Sequence, residues 1–134
     1  MTEKQTTASA DYGIYGKEVI LDLHNCNPAK FNRRDIKRFF VDLCDEIGMQ
    51  REKLCWWDDH GLPAEECQTQ PHAKGTTAVQ FILTSNVTIH TLDILERVYL
   101  NIFSCKDFDE NVVRDFSSKY FEGDVIGYEV ITRK

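Results

Sequence analysis

Three side chains that enzymes use for covalent chemistry lie close together in the second half of the chain. Ser85 follows an apolar run that ends at Leu83, His90 comes five residues after Ser85, and Cys105 follows His90 by fifteen residues. A hydroxyl, an imidazole and a thiol can serve as nucleophile, base and acid. If they stand at the edges of adjacent strands, we expect them to converge on one pocket.

Each of the three residues also has an ordinary structural explanation. A turn serine, a hydrogen-bonded strand histidine and a small buried cysteine occur in many folded domains. The residue types and their spacing therefore leave two interpretations open, a reactive site or three unrelated structural residues.

A second group of reactive side chains has the spacing C-x4-H-x6-C-x4-H, formed by Cys55, His60, Cys67 and His72. Zinc accepts such ligands, but the close C-x2-C pair of most structural zinc sites is missing. We therefore expect packed thiols and exposed imidazoles, with no bound metal, and keep a zinc-binding interaction module as an alternative.

The same stretch contains two indoles followed by two carboxylates, Trp56-Trp57 and Asp58-Asp59. We expect one indole to pack in the core and the other to cover an interface, although the pair could also form a platform for a ligand. The two carboxylates are expected to be solvated, with a cation site as the alternative.

Periodic apolar residues predict the elements that must position these groups. Residues 32–48 have a helical stripe between a capping asparagine and a terminal glycine, and residues 107–123 have a second one that begins with an apparent capping box at Asp107 and Glu110. The stretch 49–75 has little periodicity, although Trp56-Trp57 suggests a strand running into a turn. Alternating apolar residues predict five strands, at residues 17–26, 77–83, 87–91, 98–103 and 125–132.

The resulting order, β-α-loop-β-β-β-α-β, is typical of an α+β fold. We predict a two-layer sandwich in which one mostly antiparallel sheet carries both helices on one face. The other sheet face would need a cover, which makes a partner chain plausible. Residues 1–16 are polar and small and are predicted to form a flexible tail, and residues 17–134 a single domain.

Composition excludes several classes of partner. The 134 residues include 16 Lys+Arg and 22 Asp+Glu, for a net charge of −6, which argues against nucleic acid and anionic membranes as partners. No apolar run reaches the ~20 residues of a membrane span. The N-terminus is polar and lacks the apolar core of a signal peptide, so a cytoplasmic protein with reduced cysteines is expected.

Residues 83–91, Leu-Thr-Ser-Asn-Val-Thr-Ile-His-Thr, resemble the self-cleavage motif of prokaryotic short-chain S-adenosylmethionine decarboxylases, a Ser-His-Leu-Thr-Ile-His-Thr type run. Residues 103–105, Phe-Ser-Cys, stand where that family has a Phe-Thr-Cys type strand end. Residues 75–78, Gly-Thr-Thr-Ala, are similar to the family's Gly-x-Ser-Gly stretch, with Thr77 at the hydroxyl position. The resemblance covers most of residues 17–133 and is poor over 50–74, as in a divergent member.

The resemblance implies a mechanism. Ser85 attacks the carbonyl of Thr84, the chain splits between these residues, and residue 85 becomes a pyruvoyl group, with His90 as base and Thr77 stabilising the oxyanion. The ketone forms a Schiff base with the substrate amine and accepts the electrons released with carbon dioxide. Cys105 then protonates the α-carbon, for which its thiol must hold a proton near neutral pH, a state that partial burial favours.

The residues that flank the cleavage site depart from the family pattern. Thr84 and Asn86 stand where the family has Glu and His. Neither residue is the nucleophile, so self-cleavage is still expected, at a rate that the flanking residues leave open.

The residues that read the substrate depart further. Leu92, Asp93 and Ile94 stand where the family has Trp-Pro-Glu, whose aromatic ring and carboxylate help hold the nucleoside. Leu92 cannot stack on adenine, Asp93 could replace the carboxylate one position out of register, and Trp56 or Trp57 could supply the stacking surface.

We therefore expect an S-adenosylmethionine decarboxylase proenzyme of spermidine and polyamine synthesis. Two alternatives remain: the same chemistry on arginine or ornithine, and a non-catalytic binding protein on the same fold. The small protomer implies a homodimer or higher homo-oligomer, and the resemblance implies active sites near the subunit interface that take a small amino-acid-type substrate.

Overall fold

The computed structural model of the protein describes residues 13–134. Two α-helices, α1 (Arg33–Ile47) and α2 (Glu110–Phe121), and two short 3-10 turns, Pro28–Lys30 and Ala64–Glu66, interrupt the strands in this part of the chain. The strands are β1 (Gly16–His24), β2 (Arg51–Trp57), β3 (Gly75–Ile82), β4 (Ser85–Leu92), β5 (Arg97–Ser104) and β6 (Asp124–Arg133).

The strands form one sheet in the order β2-β3-β4-β5-β1-β6, and every neighbouring pair is antiparallel. Both helices pack against one face of this sheet. The predicted α+β two-layer sandwich is therefore confirmed, with its five expected strands and a sixth.

The sixth strand is β2, which lies in the stretch that showed little periodicity. It is an edge strand that pairs only with β3, and its register is interrupted between Arg51 and Leu54. Its residues are half-buried or exposed without regular alternation. This edge strand lacks the alternating burial that sequence patterns detect, and only its end at Trp56-Trp57 was recognised.

Helix α1 has the predicted caps. The Asn32 side chain accepts a hydrogen bond from the Asp35 amide at 2.9 Å, and Gly48 ends the helix in the left-handed conformation at φ 70°. Its buried stripe, which packs on the sheet, consists of Ile36, Phe39, Phe40, Leu43, Cys44 and Ile47.

Helix α2 begins two residues later than the predicted capping box. The cap is Asp109, whose carboxylate accepts hydrogen bonds from the amides of Asn111 and Val112. Asp107 instead pairs with Lys17 of β1 at 2.9 Å. Asp109, whose carboxylate is nearest the free amides of the first turn, forms the cap, and Asp107 forms an ion pair with the Lys17 ammonium.

The two faces of the sheet differ sharply in burial. The face against the helices, called the helix face, includes fully buried residues such as Leu21, Ile89 and Ile102. The opposite face, called the open face, carries half-buried and exposed side chains, among them Val79 and Phe81, of which Phe81 is 45% exposed. The helix face of the sheet is therefore buried, and the open face is accessible to solvent and of mixed polarity.

The predicted tail of residues 1–16 lies mostly outside the described residues. Of its last members, Tyr15 donates its backbone N–H to the Arg133 carbonyl at 2.7 Å, and Gly16 begins β1. Over residues 13–134, neither helix combines the length and the apolar character needed to cross a membrane.

Candidate functional site

Ser85 is the first residue of β4, directly after the turn that connects β4 to β3. Its side chain is buried, and its Oγ donates a hydrogen bond to the Ser104 Oγ on β5 at 3.1 Å. Ser104 in turn donates to the Lys106 carbonyl at 2.9 Å and accepts from the Lys106 amide at 3.0 Å. Ser104 is thus a fixed acceptor for the Ser85 hydroxyl, a partner that the sequence motif contained but did not assign.

Thr84, on the other side of the peptide bond predicted to be cleaved, has an unusual backbone. Its φ is 62°, in the left-handed region that a β-branched residue adopts only with strain. Its Oγ1 donates to the Leu83 carbonyl at 2.7 Å and lies 3.3 Å from the Cys105 Sγ. The residue before Ser85 is therefore both strained and in contact with the thiol.

Cys105 follows the last residue of β5, and three hydroxyls surround its sulfur. The hydrogen bond between the Thr84 and Cys105 side chains is the main cause that lowers the pKa of the Cys105 thiol, with smaller contributions from the hydroxyls of Tyr15 and Ser85. Burial opposes this shift but does not outweigh it. The expectation that partial burial holds the Cys105 proton is therefore corrected, because hydrogen bonding to the sulfur dominates its pKa.

Two other cysteines provide a contrast. Cys26 and Cys44 lie in the core, where burial raises the pKa of each thiol to about 11. Such thiols remain protonated and unreactive at neutral pH. Cys105 is thus chemically distinct from the packed cysteines of the same chain.

Gly16 allows β1 to pass very close to the end of β5. A Cβ at this position would clash with the Ser104 carbonyl and would lie 2.7 Å from the Cys105 Cα. The absence of a side chain at Gly16 therefore permits the close packing of β1 against the backbone that carries Cys105.

Tyr15 is the site residue that sequence reasoning missed. Its ring stacks on Phe103 with centroids 6.1 Å apart and an angle of 20° between the planes. With Ser104 and Cys105 it lines a hollow of about 260 Å³. Its segment has no periodicity, and the one available signal was its place just before a strand that pairs with the end of β5.

Thr77 and His90 form a second, separate cluster on the open face. They face each other across β3 and β4, and the Thr77 Oγ1 lies 3.0 Å from the His90 Nδ1. Trp57 and Tyr99 flank them in the same row across the sheet, and together with Leu92 they line a recess of about 370 Å³. This recess combines an imidazole and a hydroxyl with aromatic walls.

The two clusters do not meet within one chain. Ser85 and His90 are five residues apart on one strand, and an odd separation directs side chains to opposite faces. At ~3.4 Å per residue, their backbones are about 17 Å apart. The structure thus brings Ser85, Thr84 and Cys105 together, and Thr77 with His90. It does not bring Ser85, His90 and Cys105 into one pocket of a single chain, as the sequence analysis expected.

The two indoles have different surroundings. Trp57 is 49% exposed and borders the recess beside Thr77. Trp56 points to the helix face, where it packs against the core and the Arg33 guanidinium lies 5.8 Å from its ring. Trp57 is therefore the available stacking surface.

A larger cavity of about 710 Å³ adjoins the other side of this end of the sheet and is lined by Asp93 among others. The prediction that Asp58 and Asp59 are solvated was wrong, since their side chains are 10% and 9% exposed. Asp58 accepts two hydrogen bonds from Arg33 at 2.7 and 2.9 Å, which lower its pKa, and Asp59 pairs with Lys74 at 3.4 Å. Neighbouring cations make this burial possible.

The cysteines and histidines of residues 55–72 do not assemble into a cluster. His60 and Cys67 line the larger cavity, His72 lines the recess, and Cys55 lies on β2. In the part of the chain that the structure describes, no group of three or more His, Cys, Asp or Glu side chains could hold a metal ion.

Both a protein-family model and solved structures are similar to this chain. A protein-family model described as S-adenosylmethionine decarboxylase matches residues 17–134. The crystal structure of the adenosylmethionine decarboxylase from Aquifex aeolicus VF5 is similar, with a TM-score of 0.69 and 18% sequence identity, over 90% of this chain and 91% of that chain. At this identity the structural match shows the fold. No curated protein matches the chain.

Proposed function

The chain belongs to the S-adenosylmethionine decarboxylase family, and we propose that it is a pyruvoyl-dependent decarboxylase whose prosthetic group derives from Ser85. The observation that carries the proposal is the arrangement around the peptide bond between Thr84 and Ser85. A buried hydroxyl with a fixed acceptor follows a strained residue, and a thiol with a lowered pKa lies in contact with both.

Self-cleavage follows from these groups. The Ser85 Oγ adds to the Thr84 carbonyl carbon, and the bond from that carbon to the Ser85 nitrogen breaks as the ester forms. A base then removes the proton from the Ser85 Cα, and the Thr84 carboxylate leaves from Cβ. Loss of ammonia by hydrolysis leaves a pyruvoyl group at residue 85. Strain at Thr84 raises the energy of the uncleaved chain and so favours the first step.

Ser104 orients the nucleophile. Because the Ser85 O–H points at the Ser104 Oγ, a lone pair of the Ser85 oxygen is free to face the neighbouring carbonyl. Preorganised hydrogen bonds of this kind lower a barrier because no reorganisation is needed at the moment of reaction.

The base requires a second copy of the chain. His90 and Thr77 are remote from Ser85 in one protomer, so we propose that a homodimer supplies them across the open face. The row that contains Thr77 and His90 lies at one end of the strands, and the row that contains Asn86 and Phe103 lies at the other. A two-fold axis perpendicular to the strands and parallel to the sheet would place one row of the second copy over the other row of the first. His90 of the second copy would then lie over the open face at the end of the strands that carries the Thr84–Ser85 peptide bond.

Besides the pyruvoyl ketone, the mature site needs a proton donor and groups that hold the substrate. The pyruvoyl group supplies the electron-accepting carbonyl that pyridoxal phosphate provides in other decarboxylases. Cys105, within contact distance of residue 84, would deliver a proton to the substrate α-carbon, and Thr77 with His90 would hold the polar atoms of the substrate.

For the substrate we propose S-adenosylmethionine, which places the enzyme in spermidine and polyamine synthesis. The support is the family and the half-exposed Trp57, whose ring borders the same recess as His90 and can stack on a purine.

One observation favours a second candidate, the same chemistry on arginine or ornithine. Leu92 lines the recess where the family has an indole, while Asp93 lines the larger cavity and not the recess. The nucleoside contacts that follow His90 in the family are therefore not reproduced by the matching residues of this chain.

We expect a cytoplasmic enzyme. All five cysteines of the chain lie within the described residues and are free, as is usual in a reducing compartment.

The test is the intact mass of the purified protein beside its Ser85→Ala variant. The parent should give two fragments that meet between residues 84 and 85, the second lighter by one ammonia than residues 85–134 of the sequence. Ser85→Ala should remain one chain, and Ser117→Ala, which alters a buried serine of α2, should cleave like the parent. Release of carbon dioxide from S-adenosylmethionine, arginine and ornithine then identifies the substrate. A parent that stays uncut after long incubation would overturn the proposal and leave a binding protein on this fold.

A further inference from the structure

Tyr15 is held in place just before β1 by two contacts, and their partners Phe103 and Arg133 also contact each other. Its ring stacks on Phe103, its backbone N–H donates to the Arg133 carbonyl at 2.7 Å, and the Arg133 guanidinium lies 5.2 Å from the Phe103 ring. Arg133 is itself anchored by the Glu18 carboxylate at 2.8 Å. A residue that is 54% exposed is thus fixed by stacking and by its backbone.

The anchored ring directs the Tyr15 hydroxyl to the sulfur of Cys105. Tyr15 and Cys105 line the same hollow of about 260 Å³ at the end of β5, and the Tyr15 hydroxyl is one of the groups that lower the pKa of the Cys105 thiol. On its other side the sulfur contacts the Thr84 hydroxyl at 3.3 Å. Cys105 is therefore held between two hydroxyls that come from different segments of the chain.

These two hydroxyls differ in what happens to them on cleavage. In the proposed function, Thr84 becomes a free chain end, and the backbone that holds its hydroxyl against Cys105 is cut. Tyr15 lies seventy residues upstream of the cleavage site and keeps all of its contacts. Of the two, Tyr15 is the neighbour whose position does not depend on the bond that is broken.

We propose that Tyr15 is a positioning residue for Cys105, whose hydroxyl keeps the thiol oriented toward the reacting carbon and stabilises the thiolate left after proton transfer. In that step the Cys105 S–H bond breaks, its proton forms a C–H bond at the substrate α-carbon, and the negative charge on sulfur is balanced by the Tyr15 hydrogen bond. Solvent later returns the proton. The proposal rests on the proposed function, because it assigns a role within that reaction.

The charged groups around the hollow are already engaged elsewhere. Lys17 pairs with Asp107 at 2.9 Å and with Glu110 at 2.7 Å. The Lys106 Nζ donates to the Gly48 carbonyl at 2.6 Å. With these ions neutralised or directed away, the hydroxyls remain the groups that act on the sulfur.

The first experiment measures Cys105 in the uncut Ser85→Ala chain, so that it does not require self-cleavage. The rate of alkylation of Cys105 by iodoacetamide is followed against pH by peptide mass, which separates it from Cys55 and Cys67. Tyr15→Phe keeps the ring stack and removes the hydroxyl. The midpoint of the alkylation profile should rise by about half a pH unit to one unit. Tyr128→Phe, which removes a hydroxyl that hydrogen-bonds to the Asn111 Oδ1 and lies outside the hollow and the recess, should leave it unchanged.

A second variant tests the contribution of the stacking that holds the Tyr15 ring, separately from that of the Tyr15 hydroxyl. Phe103→Leu weakens the stacking and retains the Tyr15 hydroxyl, so its midpoint should lie between those of the parent and Tyr15→Phe. In the cleaved enzyme, Tyr15→Phe should lower kcat at least several-fold, shift the pH profile of kcat upward and leave KM nearly unchanged.

An alkylation midpoint for Tyr15→Phe equal to that of its parent would overturn the proposal, as would an unaltered pH profile of kcat in the cleaved enzyme. Failure of the proposed function is a different result, in which the wild-type chain stays uncut while the alkylation shift is still observed.

Discussion

The Ser85 hydroxyl donates a hydrogen bond to the Ser104 hydroxyl, across strands β4 and β5, at an oxygen–oxygen distance of 3.1 Å. Ser104 is fully buried, and its other hydrogen bonds go to the backbone of Lys106. The acceptor therefore has no freedom to turn away, and the orientation of the Ser85 hydroxyl is set by the backbone at the end of β5.

Replacing Ser104 tests this orientation. Ser104→Ala should slow self-cleavage by about five- to tenfold, because a net hydrogen bond is worth about 1 kcal/mol and each 1.4 kcal/mol is a factor of ten in rate. The measurement is the time course of fragment formation. Ser104→Thr, which retains a hydroxyl, should recover most of the rate, and an alanine variant that cleaves at the parent rate would show that Ser104 has no such role.

Mixing two inactive chains tests the shared site. Ser85→Ala and His90→Ala should each remain uncut alone, because one lacks the nucleophile and the other the base. When chains with different affinity tags are expressed together, the His90→Ala chain should be cut, since its partner provides His90. Co-expression of His90→Ala with the Ser85→Ala/His90→Ala double variant is the control. If the mixed chains stay uncut although they copurify, His90 does not act across the interface.

The substrate surface can be tested at Trp57. Trp57→Ala should raise KM for S-adenosylmethionine about tenfold or more with little change in kcat, because stacking on a base is worth about 1–3 kcal/mol. Trp56→Phe, the matched change on the helix face, should affect thermal stability and not KM. An unchanged KM for Trp57→Ala would exclude Trp57 as the stacking surface. If the substrate is arginine or ornithine, which have no purine ring, Trp57→Ala should leave KM for that amino acid unchanged.

Asp93 provides a prediction of pH dependence. Burial is the main cause that raises the pKa of the Asp93 carboxyl, and the Asp59 carboxylate adds to it, against the nearby Lys74. A raised pKa means that the folded chain binds the proton more tightly than the unfolded chain. The stability from this group is fully present below its unfolded pKa of ~3.9 and is lost as the pH rises through the folded pKa.

Asp93→Asn removes the ionisable group, so the free energy of unfolding no longer falls as the pH rises through the folded pKa of Asp93. In the Ser85→Ala background, Asp93→Asn should melt at a higher temperature than its parent at pH 7, and the difference should vanish below about pH 4. Asp115→Asn is the contrasting control, because a hydrogen bond from Arg114 lowers the pKa of that exposed carboxyl, so its loss should be slightly destabilising at pH 7. A lower melting temperature for Asp93→Asn at pH 7 would contradict the prediction.

Much of the sheet could be predicted because its central strands alternate without interruption. On β4 and β5 every second side chain is buried against the helices, from Ser85 to Thr91 and from Val98 to Ser104. Such alternation is a direct consequence of strand geometry, and it also fixes the contact between Ser85 and Ser104 once β4 and β5 are known to be neighbours.

The separation of Ser85 from His90 follows from the same rule once Ser85 is known to belong to β4, which the predicted strand at 87–91 did not include. Five residues on one strand is an odd number, so the two side chains belong to opposite faces. The proposed homodimer is an answer to this separation, and the residue types alone do not suggest it.

Other features depend on tertiary contacts that no local pattern encodes. The burial of Asp58 depends on Arg33, twenty-five residues earlier on α1. Tyr15 acquires its place from Phe103 and Arg133, which are far away in the chain. The edge strand β2 has no second neighbour to bury its outer side. In each case the determining partner is distant in sequence.

The strand order also decides what would become of the protein after the proposed self-cleavage. Residues up to Thr84 contain β1, β2 and β3, and residues from Ser85 onward contain β4, β5 and β6. In the sheet order, β1 of the first piece is inserted between β5 and β6 of the second, and β3 lies against β4. Three of the five neighbouring strand pairs in the sheet therefore join a strand of the first piece to a strand of the second. Because strands of the two pieces alternate in one hydrogen-bonded sheet, breaking the bond between residues 84 and 85 would not release either piece. The two pieces could separate only if the sheet unfolded.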